Sequence, residues 1–295
     1  ISALASIIVS LVLPSYGLSR MTGGYLGAWR GGLVHKNTTG FSYCLGLLIG
    51  TFAWRSGAVH WRLCLACMAS CFVMVVMAQS ATAMIGAVVA MIPALLLASI
   101  AGTPVGIRAM VLLVAGVLML LAMTLQQFLP ALIEALGRDP TLTGRTEIWS
   151  AVWSHVLERP LTGYGYAFWS IDTTARAAIW RETVVPTPHT HHALLDVAIQ
   201  LGAVGTAIVV ALLFIASWRA VEALIIRPRP VAPLCFAILL VLLLRILSEA
   251  EFSEPSASGL FWVTWAHLLC RIALASRRQP ARVSAVPGRP QRFSA

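Results

Sequence analysis

Charge is what this sequence has least of. Lys, Arg, Asp and Glu make up 11% of its 295 residues, against about a quarter in an ordinary soluble domain. With 59% apolar residues and a mean hydropathy of +0.84, that scarcity excludes a water-soluble class. There is no G-x-x-x-x-G-K-[ST] loop, which argues against ATP-driven chemistry on such a site. No D-x-D acidic cluster is present to hold a divalent ion, so no metal and no cofactor are expected. The +10 net charge could suggest nucleic acid, but no Lys/Arg tract resembles a nucleic-acid arm. Cys64 and Cys67 form a C-x-x-C with no second pair. All six cysteines lie in apolar stretches, where they read as small packing residues. A signal peptide with a charged start is also missing. The chain opens on Ile1, and Ile1 to Leu13 is short for a span, so a fragment lacking its amino-terminal part is expected.

Long apolar runs are abundant. After the partial first span, seven more are expected at 38–54, 62–78, 81–101, 108–128, 191–217, 231–247 and 259–275, several close to the roughly 20 residues that cross a bilayer. The run 38–54 is short and Gly-rich, which leaves a re-entrant or tilted segment open. The break at Ala78-Gln79-Ser80 is slight. Links 55–62, 102–108, 218–230 and the tail 271–295 carry twelve Arg and one acid, Glu222. The opposite links and adjoining span ends carry nine Lys/Arg and ten Asp/Glu. The positive-inside rule puts the first set in the cytoplasm, so the remaining polar residues face outward. The expected fold is an all-α, polytopic membrane helical bundle with one large helical extracytoplasmic loop. Its parts are amino-terminal spans over 1–128, the loop 129–190, carboxy-terminal spans over 191–275 and a basic tail 276–295.

A loop of about 60 residues is long enough to be functional. Trp149, Val152, Trp153 and Val156 recur at i, i+3, i+4 and i+7, the stripe of an amphipathic helix. Thr143 or Thr146 can cap it and Pro160 ends it. Two Trp on the stripe suggest a helix at the membrane interface. Gly163-Tyr164-Gly165-Tyr166 follows as a tight aromatic turn.

Three segments carry the polar chemistry. The first runs Trp29-Arg30-Gly31-Gly32-Leu33-Val34-His35-Lys36-Asn37-Thr38-Thr39-Gly40. The second is Thr143-Gly144-Arg145-Thr146-Glu147-Ile148-Trp149, continuing to Arg159-Pro160-Leu161-Thr162-Gly163-Tyr164-Gly165. The third is His189-Thr190-His191-His192-Ala193-Leu194-Leu195-Asp196, followed by Leu201-Gly202-Ala203-Val204-Gly205. In this order and spacing they resemble the O-antigen ligase and polymerase superfamily of membrane glycosyltransferases. The first is most similar to the Wzy-type, succinoglycan-like exopolysaccharide polymerases. The resemblance spans about residues 29 to 205, with a weaker echo through Glu249. One departure is His192, where the family usually has Asn.

The resemblance implies transfer of a glycan from undecaprenyl diphosphate to an acceptor sugar hydroxyl, without nucleotide sugar or metal, at the outer face of the bacterial inner membrane. Arg suits a diphosphate leaving group because its charge is permanent and its contacts are bidentate. Arg145, beside Gly144 at a helix start, also has free N–H groups nearby. Arg30 with Lys36 could form a second clamp. His191 is the expected base for the acceptor proton, with His189 second. Arg145 and His191 are thus the catalytic candidates. Arg30, His35, Lys36, Asn37, Gly144, His189 and Arg245 are the substrate-binding ones. Plainer readings stand beside these. Arg145 could pair with Glu147 or lipid head groups, and Arg30, His35 and Lys36 could be interfacial anchors. Arg245 and Glu249 could simply pair with each other. The His triplet has metal-ligand chemistry but no obvious carboxylate or Cys partner. Trp149 and Trp153 suit interfacial packing better than sugar stacking. Expected partners are the lipid-linked oligosaccharide, the bilayer, and chain-length regulator and flippase proteins. Two other functions compete: a ligase acting on a lipopolysaccharide core, and a transporter or flippase. Transport would need polar groups at mid-membrane, and 62–78, 81–101 and 108–128 have almost none.

Overall fold

The computed structural model describes residues 2–19, 27–33, 35–135, 144–183, 189–226, 231–247 and 249, with helical positions at 264, 265, 268 and 271. Ten helices follow one another among them: α1 (Ser2–Val12), α2 (Pro14–Gly17), α3 (Lys36–Arg55), α4 (Trp61–Met77), α5 (Ala81–Ser99), α6 (Val105–Ala135), α7 (Gly144–Glu158), α8 (Thr174–Glu182), α9 (Ala193–Ile226) and α10 (Ala232–Ile246). No strand occurs among the described residues; one isolated bridge joins Leu18 and Trp29. The expected all-α class is what forms. In lipid a chain must satisfy its backbone internally, and a helix does so within one segment.

Three stretches are long and apolar enough to cross a membrane: Ala81–Ser99, Val105–Ala122 and Ala193–Ile225. α1, α4 and α10 are shorter apolar helices. Outer faces are greasy: Leu113, Val117 and Leu120 on α6 are exposed, as are Ile208, Leu212 and Ile215 on α9. A soluble monomer rarely shows so much continuous apolar surface. The chain is a multi-pass membrane protein. The expected span 259–275 and the tail 276–295 lie almost wholly outside the described residues.

α10 forms the centre, buried along nearly its whole length and packed on α3, α5, α6 and α9. α3 is one unbroken helix. Its glycines permit close approach: a Cβ on Gly46 would lie 2.6 Å from Cys71 Sγ, and one on Gly40 would lie 2.8 Å from Ala83 Cβ. Small residues are how membrane helices gain such contact. At the opposite end of α9, buried Arg108 donates from Nη1 to the Leu224 carbonyl at 3.0 Å.

One expectation needs correction. The run 191–217 is not a uniform span. α9 starts at Ala193, and Gly202 breaks it with φ 62° and ψ −161°. Before the break the helix is shared: Ala193 joins the bundle core, while Ile199 joins a second core with Val152, Val156, Phe168, Trp169 and Ile179. On α7 the expected apolar stripe divides between a buried and an exposed side. Ile148, Ala151, Val152 and Val156 are buried, whereas Trp153 is 54% exposed. Trp149 sits between, its Nε1 donating to the Thr190 carbonyl at 2.8 Å. Of the two candidate caps, Thr146 lies inside the helix and Thr143 lies outside the described residues.

Candidate active site

The turn 189–192 is held from beneath. Asp196 is fully buried on the first turn of α9. Its Oδ1 accepts from the Thr190 backbone N–H at 3.0 Å and from Trp169 Nε1 at 2.8 Å. His192 is the residue before α9, and its Nδ1 accepts from the Leu195 N–H at 3.3 Å. That is the service an N-cap side chain performs, so His192 does the work of the Asn usual at this place. Burial holds its pKa below the ordinary value, in keeping with a ring whose Nδ1 must offer a lone pair. With both ends fixed, His191 takes a left-handed conformation, φ 54°. Its N–H donates to His189 Nδ1 at 3.2 Å, and the two rings meet edge to face with centroids 4.0 Å apart.

A second wall comes from the start of α3 and the end of α10. His35 caps α3, its Nδ1 accepting from the Asn37 N–H at 3.2 Å. Burial is the main cause that lowers the His35 pKa. Glu249 opposes it, and the charges of Lys36, His189 and Arg245 add to it. Lys36 donates from Nζ to the Gln79 carbonyl at 3.1 Å, tying α3 to the 78–80 turn. Its pKa is pushed down to about 8, first by burial and then by Arg145, with Glu249 pulling it back. Arg245 donates from Nη1 to the Asn37 carbonyl at 3.2 Å and lies over the Phe41 ring at 4.2 Å. The Asn37 side-chain amide donates to Glu249 Oε1, and Glu249 Oε2 is 4.0 Å from His191 Nδ1.

The structure therefore brings His35, Lys36, Asn37, Arg145, His189, His191 and Arg245 to one end of the bundle. Arg145 is the second residue of α7, directly after Gly144, as the sequence suggests. Arg30 is placed differently. Its Nε donates to the Tyr16 carbonyl at 2.8 Å, while its own carbonyl accepts from Thr39 Oγ1 at 2.8 Å. The Arg145 charge acts on Lys36.

The two remaining motif pieces clip to each other. Where Gly202 breaks α9, the freed backbone groups pass to residues 160–165. Tyr164 N donates to the Ile199 carbonyl at 2.9 Å and Gly165 N to the Gln200 carbonyl at 2.8 Å. Ala203 N donates in return to the Pro160 carbonyl at 2.7 Å. A Cβ on Gly202 would stand 2.3 Å from the Leu161 carbonyl carbon, and one on Gly163 would stand 2.5 Å from that of Gln200. Only glycine has no Cβ to place there. Beside this clip, an open apolar cleft of about 400 Å³ lies between α7 and α9, lined by Trp149, Trp153, His192, Leu194, Leu195 and Ala198.

The family model described as O-Antigen ligase matches residues 65–210, which takes in Arg145, the clip and the His turn. The chain resembles the O-antigen ligase family. It is also 26% identical over 135 residues to the exopolysaccharide production protein ExoQ of Rhizobium meliloti (strain 1021). That alignment covers 44% of this chain and 31% of the relative, so the chain spans about a third of its length. Together they support a membrane enzyme of polysaccharide polymerase or O-antigen ligase type.

The O-antigen ligase match leaves out 29–40 and 245–249, and the feature that sequence reasoning missed lies there. The His triplet seemed to lack a carboxylate; Glu249 supplies one. Its oxygen and the ring nitrogens of His189 and His191 lie within 4.8 Å of one another, a span that a metal ion could bridge. The available signal is Glu249 standing four residues after Arg245 at the end of a span, a place where pairing with that arginine and a part in catalysis are equally open.

Proposed function

We propose that the chain polymerises undecaprenyl-diphosphate-linked oligosaccharide repeat units into exopolysaccharide or O-antigen, at the periplasmic face of the inner membrane and without a metal ion. The observation that carries this reading is that Lys36, Arg145 and Arg245 lie at the end of the bundle that holds the paired imidazoles of His189 and His191. Three cations on one carboxylate make a site for an anion. The acceptor hydroxyl attacks the anomeric carbon of the donor glycan. The bond from that carbon to the diphosphate oxygen breaks, and the lipid diphosphate leaves with the electron pair. Arg145 and its neighbours stabilise the charge that collects there, the work a metal does elsewhere. His191 takes the acceptor proton. The apolar cleft beside His192 is suited to the isoprenoid tail. The outward placement rests on the charge count of the links.

His191→Ala is the deciding variant. Turnover should fall by about 10²-fold or more, the scale of general-base catalysis, with donor binding and membrane abundance retained. Full-length polymer from a normally expressed His191→Ala strain would remove His191 from the mechanism. The description of the matching family model favours one second reading, a ligase that transfers glycan to a lipopolysaccharide core. A deletion strain separates the two. Loss of polymer with single repeat units remaining marks a polymerase; an unsubstituted core with intact polymer marks a ligase.

A further inference from the structure

We infer that Glu249 is the positioning residue for His191: its carboxylate orients the imidazole and stabilises the imidazolium that forms when the acceptor gives up its proton. This deepens the reading above and rests on His191 being the base. Glu249 Oε2 faces His191 Nδ1 at 4.0 Å, an ion-pair separation longer than the about 2.9 Å of an N–H···O bond. Such contacts are often long in enzymes without substrate. The carboxylate is itself fixed. Its Oε1 accepts from the Asn37 amide, the Asn37 carbonyl is held by Arg245, and the Glu249 N–H donates to the Arg245 carbonyl at 2.9 Å, just past α10. The carboxylate side chain is only 13% exposed.

The surroundings say why a carboxylate is needed. The charged or titratable groups about the pair are His189 on the same turn, His35 and Lys36 from α3, Arg245 from α10, and Arg145 from α7. The last two and Lys36 are cations. A new positive charge on His191 would be repelled by all three, and Glu249 offsets that repulsion at Nδ1, the ring nitrogen it faces. The proton moves from the acceptor oxygen to His191 Nε2, while Nδ1–H points at Glu249, which stays ionised. The same cations count against a dication bridging His189, His191 and Glu249, since three positive charges would oppose it.

The test is a cycle of His191→Ala, Glu249→Gln and the double variant in the full-length enzyme, with kcat and donor KM measured for each. Glu249→Gln should lower kcat by about 10- to 100-fold and leave KM within about threefold, because its effect falls on the proton transfer. Glu249→Asp should recover part of the loss. The double variant should be no slower than His191→Ala alone, since a positioning residue has nothing left to position. Losses that multiply in the double variant, or an unchanged kcat in Glu249→Gln, overturn the inference and leave the base assignment standing. A fully active His191→Ala overturns both. Activity that is lost in chelator and regained with Zn²⁺ would make Glu249 a ligand rather than a positioning residue, and overturns it too.

Discussion

Asp196 is the residue on which the geometry of the His turn should depend most. Its Oδ1 receives both Trp169 Nε1 and the Thr190 N–H, and its Oδ2 faces Gln200 Nε2 at 3.4 Å. Asp196→Ala leaves the first two donors buried and unmet. Each costs about 1–3 kcal/mol, so the loss should total about 2–6 kcal/mol. Whole-fold stabilities are on the order of 5–15 kcal/mol, so this is a large share. Asp196→Asn is the informative control. Its carbonyl oxygen can keep both bonds, at roughly half the strength of charge-assisted ones, while its amide meets the Gln200 amide donor to donor. The loss should then be about 1–2 kcal/mol by the same scale. Tryptophan-fluorescence melting in detergent orders the two, and polymer length per unit of membrane protein reads the site. Asp196→Ala should lower both Tm and polymer length, with Asp196→Asn between it and the parent. Parental Tm and polymer in Asp196→Ala would refute the idea that this carboxylate holds the turn.

Four further outcomes are expected. The Lys36 ammonium is present below about 8 and lost above it, so kcat/KM for the lipid-linked donor should fall as pH rises from 7 to 9, and Lys36→Arg, charged throughout, should abolish that decline. Arg145→Lys should impair polymerisation at normal abundance, because an ammonium cannot reproduce the planar fork on a diphosphate; parental turnover would count against bidentate binding. Gly202→Ala should abolish folded protein in the membrane, since its φ of 62° with ψ −161° is a glycine conformation costing other residues about 1–3 kcal/mol before any clash. Gly116→Ala, whose new Cβ meets nothing within 4 Å, is the matched control, and equal abundance of the two would refute the argument. His192→Asn should be nearly silent and His192→Ala should cost about 1 kcal/mol in Tm, the value of an N-cap.

Much of this was legible in advance, for definite reasons. Apolar runs bounded by Arg or Pro became α4, α5, α6 and α10 because lipid leaves a backbone little choice. Lys36, His189 and His191 stand at span ends and Arg145 in the loop between two spans, so alternation alone puts them on one side. The break at Gly202 was hidden because the stretch around it is apolar on both sides, and hydropathy does not register φ. The part of α7 that packs on the protein was not legible because Ile148 and Ala151, which are buried, lie beside the Trp stripe rather than on it. Glu249 stayed obscure because its partners, Asn37 and His191, are distant in sequence; only the folded bundle puts α3 and α10 side by side.

The hand-over of backbone bonds between residues 160–165 and 199–204 sets the unit that can be exchanged among relatives. A chimera joined anywhere between Gly165 and Ile199 would take its donors from one parent and its acceptors from the other, with two glycines that must fit each other's backbone. Swapping this loop between relatives should therefore carry residues 159–205 as one block, including the start of a helix that hydropathy alone assigns to the membrane.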